Sequence, residues 1–291
     1  MLICSDASLS ALVASSEEDS WTTKTSMPTA RAGLGVVVVD GKIYAIGGYN
    51  GDYLGVNEMY DPETDTWMTM EPMPTPRVGF AVVVCQKKVY CIGGVVDYVA
   101  GDGPVLTGKL EVYDPSTNKW ETKTSMPTLR SSLAANVVDN KIYLIGGRVY
   151  PYISTKNEVY SPTTDSWSIK SPDIPSPLYS YVSAVIDDEI YIIGGRSYWM
   201  ASGGAPLPPP VNETWIYEPQ TETWSSGKPL FTLVAEAATA VTTGVNVPQK
   251  IYVIGGRGGL YLDETTSQVS VYDPKKKTWT YGEELPTKRW G

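Results

Sequence analysis

The sequence predicts an all-β protein built from repeated units, and three observations carry that prediction. First, the phrase Lys42-Ile43-Tyr44-Ala45-Ile46-Gly47-Gly48 returns at Lys88 to Gly94, Lys141 to Gly147, Glu189 to Gly195 and Lys250 to Gly256. β-branched and aromatic residues favour a strand, and a glycine pair ends it where a side chain would obstruct. Second, the leading glycines Gly47, Gly93, Gly146, Gly194 and Gly255 are 46, 53, 48 and 61 residues apart. That period marks a solenoid or a propeller. Third, Tyr60-Asp61-Pro62 is followed by Trp67, and the pattern recurs as Tyr113 with Trp120, Tyr160 with Trp167, Tyr217 with Trp224 and Tyr272 with Trp279. The tyrosine and tryptophan are always seven apart, as a hairpin with a fixed polar turn requires.

With Met-Pro-Thr-x-Arg opening the next unit, as in Met73 to Arg77, these landmarks resemble the Kelch repeat over roughly residues 21 to 291. A propeller of the WD type relies on a Gly-His pair, and this chain has no histidine. The resemblance implies a β-propeller of four-stranded antiparallel blades, and the repeats and chain ends of this sequence give the expectation of five complete blades and an incomplete sixth. It also implies that Trp67, Trp120, Trp167, Trp224 and Trp279 pack on neighbouring glycine backbone at Gly47, Gly48, Gly93, Gly94, Gly146, Gly147, Gly194, Gly195, Gly255 and Gly256. A buried tryptophan removes roughly 200 Å² from water, about 5 kcal/mol gross, so losing one is expected to cost about 3–5 kcal/mol.

Residues 1 to 20 precede the first clear landmark. They read either as a leader remnant or poorly ordered tail, or as a decayed blade fragment, since Leu12 to Trp21 overlays Glu58 to Trp67 without gaps. The propeller domain is placed at 21 to 291. Trp21 to Arg31 matches an outermost strand and its link, with no glycine pair before it. Pro286 to Gly291 matches the opening of a further unit. The expectation is a largely missing sixth blade, in a chain either truncated or left as an open ring.

Within a unit, strand a is Gly35 to Val39 and Asp40-Gly41 is its tight turn. Asp139-Asn140 and Asp187-Asp188 fill the same slot, while unit five is longer, from Thr242 to Gln249. Strand b ends at Gly-Gly, strand c carries the tyrosine and strand d the tryptophan. Blades covered on both faces allow strands apolar on both sides, as Val36 to Val39 and Val82 to Val84 read. With Gln86-Lys87 as a turn, Cys85 lies opposite Lys88 and Cys91 opposite Val82. The two thiols then face opposite sides, and no disulfide is expected between them. With Cys4 the only other cysteine, the compartment is not set by cysteine usage. Extracellular is placed ahead of cytoplasmic on residues 1 to 20 and the Asn212-Glu213-Thr214 sequon.

A net charge of −9 and a pI near 4.7 argue against nucleic acid and anionic membrane. No apolar run approaches the roughly 20 residues of a spanning helix. The absence of histidine excludes a Ser-His-Asp triad, a Cys-His pair and any histidine metal site, including the copper site of oxidases built on such propellers. Asp61 with Asp65 reads as a turn before a calcium loop. No metal or cofactor is expected.

From Gly-Gly to the tryptophan, all length variation falls between Gly-Gly and strand c. These b–c loops emerge on one face with the d–a links, and loops on a rigid scaffold carry function. Three begin with arginine: Arg148, Arg196 and Arg257. Aromatics follow at Tyr49, Tyr53, Tyr98, Tyr150, Tyr152, Tyr198, Trp199 and Tyr261. These residue types dominate binding hot spots, and three arginines at one mouth can hold a carboxylate or acidic peptide. In the competing reading each pairs locally with Asp52, Asp102 or Asp263. The link arginines Arg31, Arg77, Arg130 and Arg289 recur in register and read as braces, with Leu178 in the slot of unit four. The function expected is a non-enzymatic binding or scaffold module for a protein or peptide, with carbohydrate as a further ligand class. A purely structural extracellular module is the blander reading. The alternative rests on resemblance to Kelch-like sugar mutarotases, with Glu236 as the acid if it faces the channel.

Overall fold

The computed structural model describes residues 21–170, 172–197, 210–242, 247–258 and 264–290. Every named element among them is a strand. Five antiparallel four-stranded sheets follow the five glycine-pair units, each running a-b-c-d in sheet order. Blade 1 is Gly35–Val39, Lys42–Ile46, Asn57–Asp61 and Thr66–Met70. Blades 2, 3, 4 and 5 begin at Ala81–Cys85, Ala135–Val138, Val182–Ile186 and Ala238–Val241. These innermost strands stand side by side in chain order, as in a propeller.

The local chemistry is as the repeat requires. Both residues of the a–b turn have positive φ at Asp40-Gly41, Gln86-Lys87, Asp139-Asn140 and Asp187-Asp188, the geometry that matches strand twist. The constant gap of seven has a direct cause: each tyrosine is the cross-strand partner of its tryptophan, as in Tyr60↔Trp67 and Tyr160↔Trp167. Cys85 pairs with Lys88 and Cys91 with Val82; both thiols are free and buried. Burial pushes the Cys91 thiol up to about 12, which keeps it inert.

The tryptophans depart from expectation. Trp67, Trp120, Trp167 and Trp224 are half-buried, and only Trp279 is buried. Each ring packs on the tyrosine opposite, at centroid distances of 4.9–5.1 Å. Each indole N–H reaches back to the preceding blade, as Trp120 to Glu71 O (2.8 Å) and Trp167 to Thr124 O (2.8 Å). They are outer clasps between blades, because strand d lies furthest from the axis. The glycine pairs are instead approached by link backbone and link side chains, the Phe80 ring at Gly47 among them. A Cβ on Gly146 would lie 2.7 Å from Leu178 O, and one on Gly147 would lie 2.9 Å from Leu133 Cβ. All ten glycines have φ between +63° and +106°, a region costly for other residues.

The link arginines are braces. The side chains of Arg31, Arg77 and Arg130 are fully buried and pair with Glu58 (2.6 Å), Glu111 (3.1 Å) and Glu158 (2.7 Å) on strand c of their own blades. Each also donates to a strand-b carbonyl: Ala45 O (2.8 Å), Cys91 O (2.9 Å) and Leu144 O (3.5 Å). Burial lowers the pKa of Arg77 and Arg130, while the paired glutamates oppose it. Arg289 is exposed, and its Nε donates only to Thr287 Oγ1 (3.0 Å).

Three apolar clusters knit blades 1–2, 2–4 and 4–5. Among the described residues none joins blade 5 to blade 1. There Trp21 donates to Glu283 O (3.1 Å), and Trp67 of blade 1 donates to Thr25 O (3.0 Å). Residues 21–25 thus stand where the outermost strand of a sixth blade would run. Strand a of blade 1 is therefore not apolar-covered on both sides: Val36 is 54% and Val38 59% exposed. All four residues of strand a in blade 5 are exposed.

Candidate functional site

The d–a links build one mouth of the central channel. In each link the residue two or three before strand a takes positive φ: Gly33, Gly79, Ser132, Ser180 and Glu236. Their backbones form a relay, with Gly79 N–H on Gly33 O (3.0 Å), Ser132 N–H on Gly79 O (2.7 Å), Ser180 N–H on Ser132 O (2.8 Å) and Glu236 N–H on Ser180 O (2.9 Å). All five residues line the opening. Glycine and serine leave it wide, and Glu236 alone among these five brings a charge.

The b–c loops form the rim. The residue after each glycine pair bridges to the link: Ala32↔Tyr49, Val78↔Val95, Ser131↔Arg148, Tyr179↔Arg196 and Ala235↔Arg257. Short hairpins follow, the largest being Val95–Val99 with Gly103–Leu106. The Tyr150 ring seats so closely on Gly103 that a Cβ there would be 2.5 Å away. A cavity of about 530 Å³ occupies the mouth, lined by Tyr49, Tyr53, Tyr181, Glu236, Arg257 and Trp290 among others. Tyr49 and Tyr53 pack edge to face at 5.3 Å.

The candidate residues divide accordingly. Tyr49, Tyr53 and Arg257 line the mouth. Arg196 is buried behind it, its Nε 3.5 Å from Glu236 Oε1, while Arg257 Nε is 3.7 Å from Glu236 Oε2. Arg257 also lies under the Trp290 ring at 3.7 Å. Arg148 stands apart, stacked between Tyr150 (5.3 Å) and Tyr179 (5.7 Å). Tyr98 and Tyr152 project outward, 64% and 67% exposed. Tyr198, Trp199 and Tyr261 lie outside the described residues, as do residues 1–20, 203–209 and Asp263. The three arginines do not form one cluster, and the acid shared by two of them comes from a link.

Trp290, Tyr179 and Tyr181 were missed by sequence reasoning. Tyr179 and Tyr181 flank the positive-φ Ser180 of their link, and Trp290 follows Arg289 as Ser131 follows Arg130, so extending the period from the loops to the links would have found them. Asp61 pairs with Lys42 (2.7 Å), and Asp65 accepts from the Tyr60 hydroxyl. Among the described residues no three His, Cys, Asp or Glu side chains converge. No helix there is long and apolar enough to cross a membrane. The sequon is folded in: Asn212 donates to Leu230 O (3.0 Å) and Thr214 is buried.

The KLHDC2/KLHL20/DRC7 Kelch-repeats domain model matches residues 8–147 and 79–289. Beta-scruin of Limulus polyphemus is 31% identical over 130 residues, 44% of this chain and 14% of that protein. Kelch-like protein terF of Aspergillus terreus is 28% identical over 165 residues, 54% of this chain and 26% of that one. The matches thus span about a quarter or less of the length of these relatives. The solved structure of YjhT superposes with a TM-score of 0.75 at 16% identity, covering 92% of this chain and 89% of that one, a likeness of fold.

Proposed function

The chain belongs to the Kelch-repeat family, and from that premise we propose that it is a non-enzymatic binding scaffold whose b–c loop face takes a protein or peptide partner. One observation carries this reading: exposed aromatics at Tyr49, Tyr98 and Tyr152 share a face with the 530 Å³ mouth lined by Arg257 and Trp290. Rigid aromatic anchors around a concave centre are what hot spots need. A carboxylate of the partner would compete with Glu236 for Arg257 and meet Arg148 at the rim. The test is affinity capture with the wild type and with Tyr98→Ala, Tyr152→Ala and Arg257→Ala together, since Arg196 is too buried to alter safely. Loss of specific partners at an unchanged melting temperature is expected. Equal recovery of the same proteins would remove this face as the site.

A second reading is favoured by Glu236 itself, held at the mouth between two arginines. A carboxylate and guanidinium within reach of one pyranose could exchange protons with its ring oxygen and anomeric hydroxyl. NMR exchange between anomers of reducing sugars checks it. Acceleration by the wild type that is lost in Glu236→Gln is expected; no acceleration over buffer ends this reading.

A further inference from the structure

Blades 1 to 3 each bury a guanidinium at one fixed place, and Arg130 has the most acceptors of the three, Leu144 O and Met126 Sδ among them. Nη1 donates to Gly146 O (2.6 Å) and Lys156 O (3.0 Å), and Nη2 to Glu158 Oε2 (2.7 Å). Strand register maps this place onto the other blades, because Ile145↔Asn157 in blade 3 corresponds to Ile254↔Val269 in blade 5. Gly146, Lys156 and Glu158 therefore become Gly255, Gln268 and Ser270. The arginine becomes Val234, whose carbonyl accepts from Gly195 N–H as that of Arg130 does from Gly94 N–H. In blade 4 the same positions are Leu178, fully buried, and Trp215, so apolar bulk stands in for the ion pair.

Blade 5 has neither the ion pair nor the bulk. Val234 and Ser270 are both short, and a cavity of about 190 Å³ lies at this place, lined by Val234, Val253, Gly255, Gln268 and Ser270. The hydroxyl that serves the glutamate elsewhere, as Thr128 Oγ1 to Glu158 Oε1 (2.5 Å), here goes from Thr232 to Gln268 Oε1 (3.0 Å). Glu264 and Lys288 also line the cavity, from the b–c loop and the last link, so it borders the binding face but not the channel mouth.

We propose that this cavity takes a guanidinium group from outside the chain, an arginine side chain or a small guanidinium compound. The strand-b carbonyl of Val253 stands where Ala45 O, Cys91 O and Leu144 O accept from a guanidinium in the three sister blades, and Gly255 and Gln268 stand where two further carbonyls hold that of Arg130. A planar fork of N–H donors is the group that matches several carbonyls at once, whereas an ammonium makes only point contacts. Glu264 supplies the compensating charge. This site is independent of the channel-mouth reading and stands or falls separately.

NMR titration of the full chain with agmatine, with cadaverine and with a capped arginine tetrapeptide tests it. Saturable shifts at Val253, Gly255 and Gln268 are expected with agmatine, with cadaverine about tenfold weaker or worse. Binding of the peptide as well assigns the group to a protein partner; binding of agmatine alone assigns it to a free compound. Val234→Arg with Ser270→Glu rebuilds the internal brace and should abolish binding while raising the melting temperature. Should that pair not fold, Ser270→Leu fills the cavity and should also abolish it. No saturable shift in the wild type, equal binding of cadaverine, or undiminished binding in the filled variant overturns the proposal.

Discussion

Blades 1 to 3 and blades 4 to 5 hold the same backbone with different chemistry at one buried slot. The first three use arginine on glutamate and on strand carbonyls. Blade 4 uses leucine and tryptophan, and blade 5 uses valine and serine over a cavity. The register and turn between strands c and d are unchanged across the set. The difference teaches that the blade does not depend on charge at this slot: the β-ladder and the positive-φ glycines set the blade, and what fills the slot adjusts it. A buried ion pair is a costly filler, since both groups lose water.

The largest test of that comparison removes half of a pair. Arg130→Met strands Glu158, 1% exposed, and should cost about 3–5 kcal/mol in chemical denaturation. Arg130→Leu with Glu158→Trp copies blade 4 and should recover most of the loss, to within about 1–2 kcal/mol of the wild type. If the double variant is no better than the single one, the charge itself is required and the comparison fails.

A smaller effect is expected at the outer clasp. Trp167→Ala removes a half-buried ring and its bond to Thr124 O, so about 2 kcal/mol is expected rather than the 3–5 of a core tryptophan. The same change at Trp279, which is buried, should cost more. Equal losses at the two sites would mean that the clasp, and not burial, sets the energy.

Much of this was legible in the sequence for a physical reason: glycine pairs, Asp-Pro turns and a cross-strand Tyr–Trp pair are local devices, and local devices leave fixed spacings. The braces were legible too, because Arg31, Arg77 and Arg130 recur in register. Two things were not. What packs on a glycine is decided by the neighbouring blade, so the approach of Leu178 O to Gly146 leaves no trace in the spacing. The channel mouth gathers Tyr49, Tyr181, Glu236 and Trp290 from different blades, and closeness around an axis is not a sequence period. Glu236 was visible only as an acid near a strand start, and its partners Arg196 and Arg257 were read as holding either a ligand's carboxylate or a loop acid, not an acid from a link.

The smallest effect separates blade 3 from blade 2 by one atom. In blade 3 the Tyr160 hydroxyl donates to Asp165 Oδ1 (2.7 Å) and Thr124 N–H donates to it as well (2.9 Å). In blade 2 Asn118 Oδ1 takes the same two bonds, from Tyr113 (2.7 Å) and Glu71 N–H (2.9 Å). The tyrosine bond first, and then the backbone bond, hold the Asp165 carboxyl below its ordinary range. A carboxylate with a depressed folded pKa adds stability above its unfolded value of about 3.9, and that stability is lost as pH falls through the folded value. Asp165→Asn keeps both bonds without a titrating group. At neutral pH it should lie close to the wild type, and below about pH 4 it should lose less stability than the wild type does. Parallel acid-denaturation profiles would show that the carboxylate contributes nothing a neutral amide does not, and that the two blades differ here in name alone.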